Sequence, residues 1–486
     1  MRSLVPITLV LSVAAISGAL VHRTQAAQTL PLFTETERRA LVEFWNAQGR
    51  YTIEVPPQMP GKPGPWVTRL TPEGSTWFLA YQRAVSGNKK IPPSQTAKGG
   101  VAEWEKWIEE KIAWDKWQAQ QLAEVANGRQ TQVASLGPSP LPTPQPAPPY
   151  PGSAPAGLVA VAGNPPAFQS AVVPLQYTVR FDEAEEPYLY RDNVSFARDR
   201  FAYYRFAKGV VSYGKHVKDI PEPELAILFK EAGFSPSERK CFSVVSALEG
   251  GFETIQTYDT GFVSIGFIQF VTMADGSGEQ DLCKALALEK KENPDAFKQD
   301  FRQFGIDIQT DRTLSVIDPA TGAELMGKDA VQKIIDDKRL TAIWQRAGRR
   351  SAAFRVAQIK QAKASYWPSA DAITVTMTDG TKLTGAVSEI IKSEAGLAAL
   401  LDRKINTGNI RPFVDVVAKT MTTHNLKTLD EAAKWEREIL GELVYRRDFL
   451  KETTLEQPPA LPTQQSKQVA QGGFDFVHWL KGLLHL

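Results

Sequence analysis

The 486-residue chain is poor in the side chains that build metal and redox centres. Its five histidines, His22, His216, His424, His478 and His485, are scattered, with no H-E-x-x-H run and no Cys/His cluster, which argues against a multi-histidine metal site. Only two cysteines are present, Cys241 and Cys283, so at most one disulfide can form. Charge of one sign is also lacking. With 56 basic and 54 acidic residues the formal charge is +2, which excludes a basic nucleic-acid footprint. Past the amino terminus no apolar run is long enough to cross a bilayer. No motif calls for a cofactor or a metal. What is abundant is ordinary core material, 43% hydrophobic and 23% charged residues, in a chain long enough for about two to four units.

Arg2 precedes an uncharged apolar run from Leu4 to Leu20, followed by His22, Arg23 and the small residues Ala26 and Ala27. This is the layout of a signal peptide spanning residues 1–26; an uncleaved anchor is the alternative, weakened by Pro6 and Gly18. The expected location is secreted or periplasmic. An oxidising compartment permits Cys241 and Cys283 to pair, and two buried free thiols are the alternative.

Prolines recur almost every second residue from Pro138 to Pro155, so residues 129–166 read as an extended linker. Before it, residues 28–128 read as a tryptophan-rich helical accessory module. Thr34 and Glu37 form a capping box, and a helix from about Val101 to Val125 puts Trp104, Trp107, Ile108, Ile112, Trp114, Trp117 and Leu122 on one broad apolar face. Residues 167–456 are helix-rich, with hairpin candidates at Thr254–Phe270 and at Ile373–Val387, the latter turning at Asp379-Gly380. The whole is expected to be α+β and mostly helical. Residues 457–486 form a polar stretch and a short apolar tail, Phe474–Leu486, suited to docking on the protein, on a partner or on a membrane surface.

The chemistry concentrates between Ser235 and Phe270. Ser235-Pro236-Ser237-Glu238 starts a helix that carries Cys241, Phe242, Val244, Val245 and Leu248 inward and stops at Glu249-Gly250-Gly251. A carboxylate on the last turn of an apolar helix meets the negative end of the dipole, which favours its protonated form. Such a group can protonate a leaving oxygen. Ten residues on, Asp259 lies in the turn Tyr258-Asp259-Thr260-Gly261; a solvated turn aspartate stays ionised and can position water. Environments that push two carboxyl groups apart in pKa assign the acid and the base. The bland alternative is a helix ended by two glycines and an Asx turn at Asp259.

The segment E-G-G-F-E-T-I-Q-T-Y-D-T-G-F-V-S-I-G resembles the catalytic segment of phage-type lysozymes. The resemblance implies Glu249 as acid, Asp259 as the water-positioning carboxylate and Ser264 as the hydroxyl position, with a one-residue spacing difference on each side of Asp259. Asp259–Phe270 is also similar to the corresponding strand of family-46 chitosanases, with Asp259, Gly266 and Phe270 aligned, and Gly276–Leu282 resembles the segment that follows. Their distal motif resembles Leu401–Gly408, where Thr407 stands in place of a histidine; this match implies a substrate-binding role for Asp402 and Asn406. Gly266-Phe267-Ile268-Gln269 echoes soluble lytic transglycosylases, which work with one glutamate. Gln269, expected at the start of the next helix, either hydrogen-bonds substrate or caps that helix. Tyr258 either lines a sugar subsite or packs in the hairpin.

The resemblances imply a lysozyme-like, two-lobed domain with a small β-hairpin lobe. The implied activity is a glycoside hydrolase acting on β-1,4-linked amino-sugar glycan, above all peptidoglycan. Lytic transglycosylase, chitosanase-like hydrolase and non-catalytic wall-binding protein are the alternatives. The expected partner is a polysaccharide and no nucleic acid.

Overall fold

A computed structural model describes residues 31–56, 64–86, 101–134, 146–192, 198–247 and 250–462. The export segment, Leu248, Glu249 and the apolar tail from Phe474 lie outside the described residues. The chain is α+β and mostly helical, 48% helix against 12% strand. Among the described residues the strands form five small antiparallel sheets, so the helices supply most of the core.

Local signals act where they were expected. Thr34 caps the helix Glu35–Asn46 through a full capping box with Glu37, and Ser235 does the same for Pro236–Ser246 with Glu238. The strands Ala372–Thr376 and Lys382–Ala386 pair around the Asp379-Gly380 turn, where the Thr381 N–H donates to Asp379 Oδ1 at 2.9 Å. Helix Pro236–Ser246 ends sooner than the glycine signal suggests, at Ser246 rather than at Glu249. It turns Cys241, Phe242 and Val245 into the main core, where all three are fully buried.

That core is built around the consecutive helices Lys338–Arg350 and Ala352–Tyr366, whose Trp344, Phe354 and Ile359 are fully buried. Burial of such side chains contributes about 1.5–3 kcal/mol each. The two cysteines are free thiols in different surroundings. Cys241 Sγ donates to Glu394 O at 3.4 Å and Cys283 Sγ to Gly276 O at 3.5 Å, and burial pushes both thiols up to about 12. The pairing expected as one alternative is not made.

The amino-terminal segment is not a separate module, which corrects the expected division at residues 128 and 167. Strand Tyr51–Glu54 joins the sheet of Gln176–Val179 and Tyr188–Arg191, in register Tyr51↔Val179 through Glu54↔Gln176. Strand Val67–Leu70 pairs with Gln169–Val172. Trp45 is 1% exposed inside the main core, its Nε1–H donating to Phe304 O at 2.9 Å. The physical reason is that short strands are marginal alone, and a partner strand both pairs their backbone groups and helps bury their apolar faces. The expected linker likewise contains the helix Ala156–Ala162, anchored by the fully buried Leu158.

The long helix Ala102–Ala134 packs on strand Gln169–Val172 and builds a second core in which Trp77, Phe78, Trp107, Ile108 and Phe168 meet Tyr204 and Tyr258. Its apolar face is narrower than expected. Leu122 is 66% exposed, while Trp114 packs at 5.1 Å on Trp117 and at 5.0 Å on Tyr150.

Candidate functional site

The expected hairpin is the heart of a four-stranded sheet, Val211–Ser212, Ile255–Gln256, Ser264–Ile265 and Phe270–Val271, each antiparallel to the next. Two-residue strands survive here because Ile255, Ile265 and Phe270 are buried in the main core. Helix residues press on the loops from behind. A side chain at Gly266 would overlap Gln358, and one at Gly348 would overlap the Phe252 carbonyl.

Backbone strain gathers in the same place. Phe262, Gln269 and Met273 have φ of 70°, 58° and 50°, and Gly266 has 90°. Left-handed non-glycine residues each cost on the order of 1–3 kcal/mol, and they persist where surrounding structure holds them.

Asp259 sits at the turn between the second and third strands. Its Oδ1 accepts the Gly261 N–H at 2.9 Å, an Asx turn, and its Oδ2 accepts Gln256 Nε2–H at 3.0 Å. The expectation of a solvated carboxylate is corrected: burial raises its pKa to about 6, and the Gly261 N–H pulls only partly the other way. Residues 201–206 pack on either side of this turn. Both the Arg205 and Phe206 N–H groups donate to Tyr258 O, and Phe206 packs at 5.0 Å on Phe262.

Ser264, 1% exposed, lies beside this carboxylate. A Cβ at Gly261 would stand 2.9 Å from Ser264 Oγ and 3.2 Å from Asp259 Oδ1, so both oxygens crowd the same face of that glycine. Tyr258 takes the packed alternative. It is 8% exposed, with its ring 5.9 Å from Phe201, and its hydroxyl is pushed up by burial and then by Asp259.

Gln269 neither starts nor caps a helix, which is a second correction. It closes the turn before Phe270–Val271, with both its N–H (3.1 Å) and its Nε2–H (2.8 Å) donating to Gly266 O. The next helix, Asp281–Glu292, begins well downstream. Asp402 and Asn406 lie on the helix Glu394–Thr407, and Asp402 is 1% exposed. Asn406 Nδ2–H donates to Asp402 Oδ1 at 3.2 Å, and Arg446 donates to Asn406 Oδ1 at 2.5 Å. These bonds tie that helix to the segment after Glu436–Glu442, so Asp402 serves the interior rather than a substrate.

Burial raises the pKa of Tyr203, with smaller contributions from Arg83, Tyr445 and Asp259. Tyr445, 48% exposed, rests against the Arg403 guanidinium at 4.8 Å. Gln256 and Tyr203 are the members of this site that sequence reasoning missed. Gln256 carries the only available signal, a polar residue three positions before the aspartate.

Glu249 lies outside the described residues; its neighbour Gly250 donates its N–H to Ser246 O at 3.2 Å. Two open hollows occur elsewhere, about 510 Å³ lined by Asp115, Leu122 and Gln169 among others, and about 440 Å³ beside Phe44 and Arg302. Among the described residues no group of three His, Cys, Asp or Glu side chains is arranged to hold a metal ion. No helix among them is long and apolar enough to cross a membrane. No family model, curated protein or solved structure matches the chain.

Proposed function

We propose that the protein is an exported glycoside hydrolase that cuts β-1,4-linked amino-sugar glycan, with peptidoglycan as its substrate, and that the hairpin sheet belongs to a lysozyme-like, two-lobed domain. One observation carries this reading. A half-buried aspartate with its pKa raised to about 6 sits in a strained turn, next to a buried serine hydroxyl, ten residues after a glutamate. A structural Asx turn needs neither the desolvation nor the strain, whereas a general base works best with a pKa near the operating pH.

In this mechanism Glu249 donates its proton to the glycosidic oxygen as the bond to the anomeric carbon breaks. Asp259, ionised above about pH 6, takes a proton from the attacking water. Gln256 and the Gly261 N–H orient its two oxygens, and Ser264 Oγ supplies a further polar position beside them. A water between the two carboxyl groups requires a separation of about 6.5–9.5 Å and gives inversion at the anomeric carbon.

The test is a clearing assay on purified peptidoglycan beside chitosan. The wild type should release soluble fragments from peptidoglycan, and Glu249→Gln should lower the rate by about 10²–10⁴-fold, the usual worth of a general acid. Activity should fall as pH drops through about 6, where Asp259 takes up its proton. Undiminished clearing by Glu249→Gln, or retention of glycan with no cleavage by either protein, would overturn the hydrolase reading; the second result would favour a wall-binding protein.

A further inference from the structure

A fixed, exposed ring stands beside the loop that follows Glu249. Tyr213, just after strand Val211–Ser212, is 45% exposed. Its ring lies 14° from parallel to the His216 imidazole, with centroids 6.1 Å apart in an offset stack. His216 Nδ1 is buried and has no hydrogen-bond partner in the chain, so the imidazole keeps its place by packing and backs one side of the tyrosine.

The segment carrying these rings cannot drift from the loop. Thr254 Oγ1–H donates to Tyr213 O at 2.6 Å, and Thr254 Oγ1 in turn accepts the Gly251 N–H at 2.7 Å. The Lys215 N–H donates to Glu253 Oε1 at 3.0 Å, and the Val217 N–H to Gly250 O at 3.3 Å. Glu253 is held in turn by Arg349 at 2.6 Å. Gly214 turns at φ 58°, and a side chain on Gly251 would overlap the Lys215 carbonyl, so the two backbones touch. An exposed tyrosine usually spends rotamer freedom in water; the backbone of this one is anchored on both sides of a turn against residues 250–254.

We infer that Tyr213, backed by His216, is a sugar-stacking subsite that takes the apolar face of a pyranose, and that the exposed ammonium groups of Lys215 and Lys218 on the same segment favour a glycan bearing carboxylates. The inference rests on the hydrolase reading only for the choice of peptidoglycan as the glycan. A tyrosine offers an apolar ring face with a polar rim, which matches a sugar's apolar face and hydroxyl edge. The lysines add attraction for carboxylates that falls with salt.

The test measures binding of soluble, carboxylate-bearing peptidoglycan oligomers by calorimetry, using the full chain with Glu249→Gln so that nothing is cut. Neutral oligomers of N-acetylglucosamine serve as the comparison. Tyr213→Ala should weaken binding of both at least tenfold, Tyr213→Trp should restore it, and Lys215→Ala with Lys218→Ala should weaken only the charged oligomer, most at low salt. Equal affinity of Tyr213→Ala and its parent, or no binding by the parent, would overturn the subsite. Binding that depends on Tyr213 in a wild-type protein that cuts nothing would leave the subsite standing and remove the hydrolase reading. Cleavage with a KM indifferent to Tyr213 would do the reverse.

Discussion

Asp259 is where function and stability pull against each other. Its two hydrogen bonds favour the ionised form, yet burial outweighs them and raises the pKa to about 6. The folded state therefore binds this proton more tightly than the unfolded state does. The group's contribution to stability is fully present below its unfolded value of 3.8 and is lost as pH rises through about 6. Asp259→Asn keeps an acceptor for the Gly261 N–H, and Gln256 can turn its amide to meet the new donor. The variant should match the wild type in unfolding free energy at pH 3.5 and exceed it at pH 8 by on the order of 1–3 kcal/mol, with a correspondingly higher Tm. An equal or lower Tm at pH 8 would mean that the carboxylate is well solvated. None of this desolvation is legible around Asp259 in the sequence, because the residues packed on its turn, 201–206, lie far upstream.

At the scale of elements, the four-stranded sheet depends on close approach more than on strand length. Gly261 has no room for a side chain, since a Cβ would meet Ser264 Oγ at 2.9 Å and Val271 Cγ1 at 3.0 Å. Gly261→Ala should cost about 1–3 kcal/mol through overpacking and should displace Asp259 and Ser264 together; unchanged stability in denaturant titration would contradict this geometry. The same scale shows what local sequence encodes. Thr34 with Glu37, Ser235 with Glu238, and Asp379-Gly380 each satisfy nearby backbone groups, so their signals lie within a few residues and can be read directly. Gln269 could not be read that way. Its left-handed turn closes on Gly266 O, and Gly266 itself lies against Gln358, a residue on a helix far along the chain. The early end of Pro236–Ser246 is equally hidden, because two glycines after Glu249 look like the natural stop.

For the whole molecule, the proline-rich stretch suggests an extended linker between separate units, whereas strands from its two sides pair in the same sheets. Tyr51–Glu54 and Val67–Leu70 are laid against strands on the far side of that stretch, and Trp45 fills the main core. Long-range pairing of this kind leaves little trace in a single sequence, since either strand alone reads only as a short alternating run. A chain that starts at residue 167 should therefore lose cooperative unfolding and collect in the insoluble fraction, because two sheet edges and the Trp45 site open at once. A soluble truncated chain with a sharp thermal transition would restore the modular picture.

The most direct measurement of the central claim is the release of reducing ends from purified peptidoglycan by Asp259→Asn beside the wild type, both verified as folded, with products identified by mass spectrometry. The account predicts reducing sugar from the wild type and a loss of about 10²-fold or more in the variant. Unchanged release by Asp259→Asn, or 1,6-anhydro ends from the wild type, would contradict it.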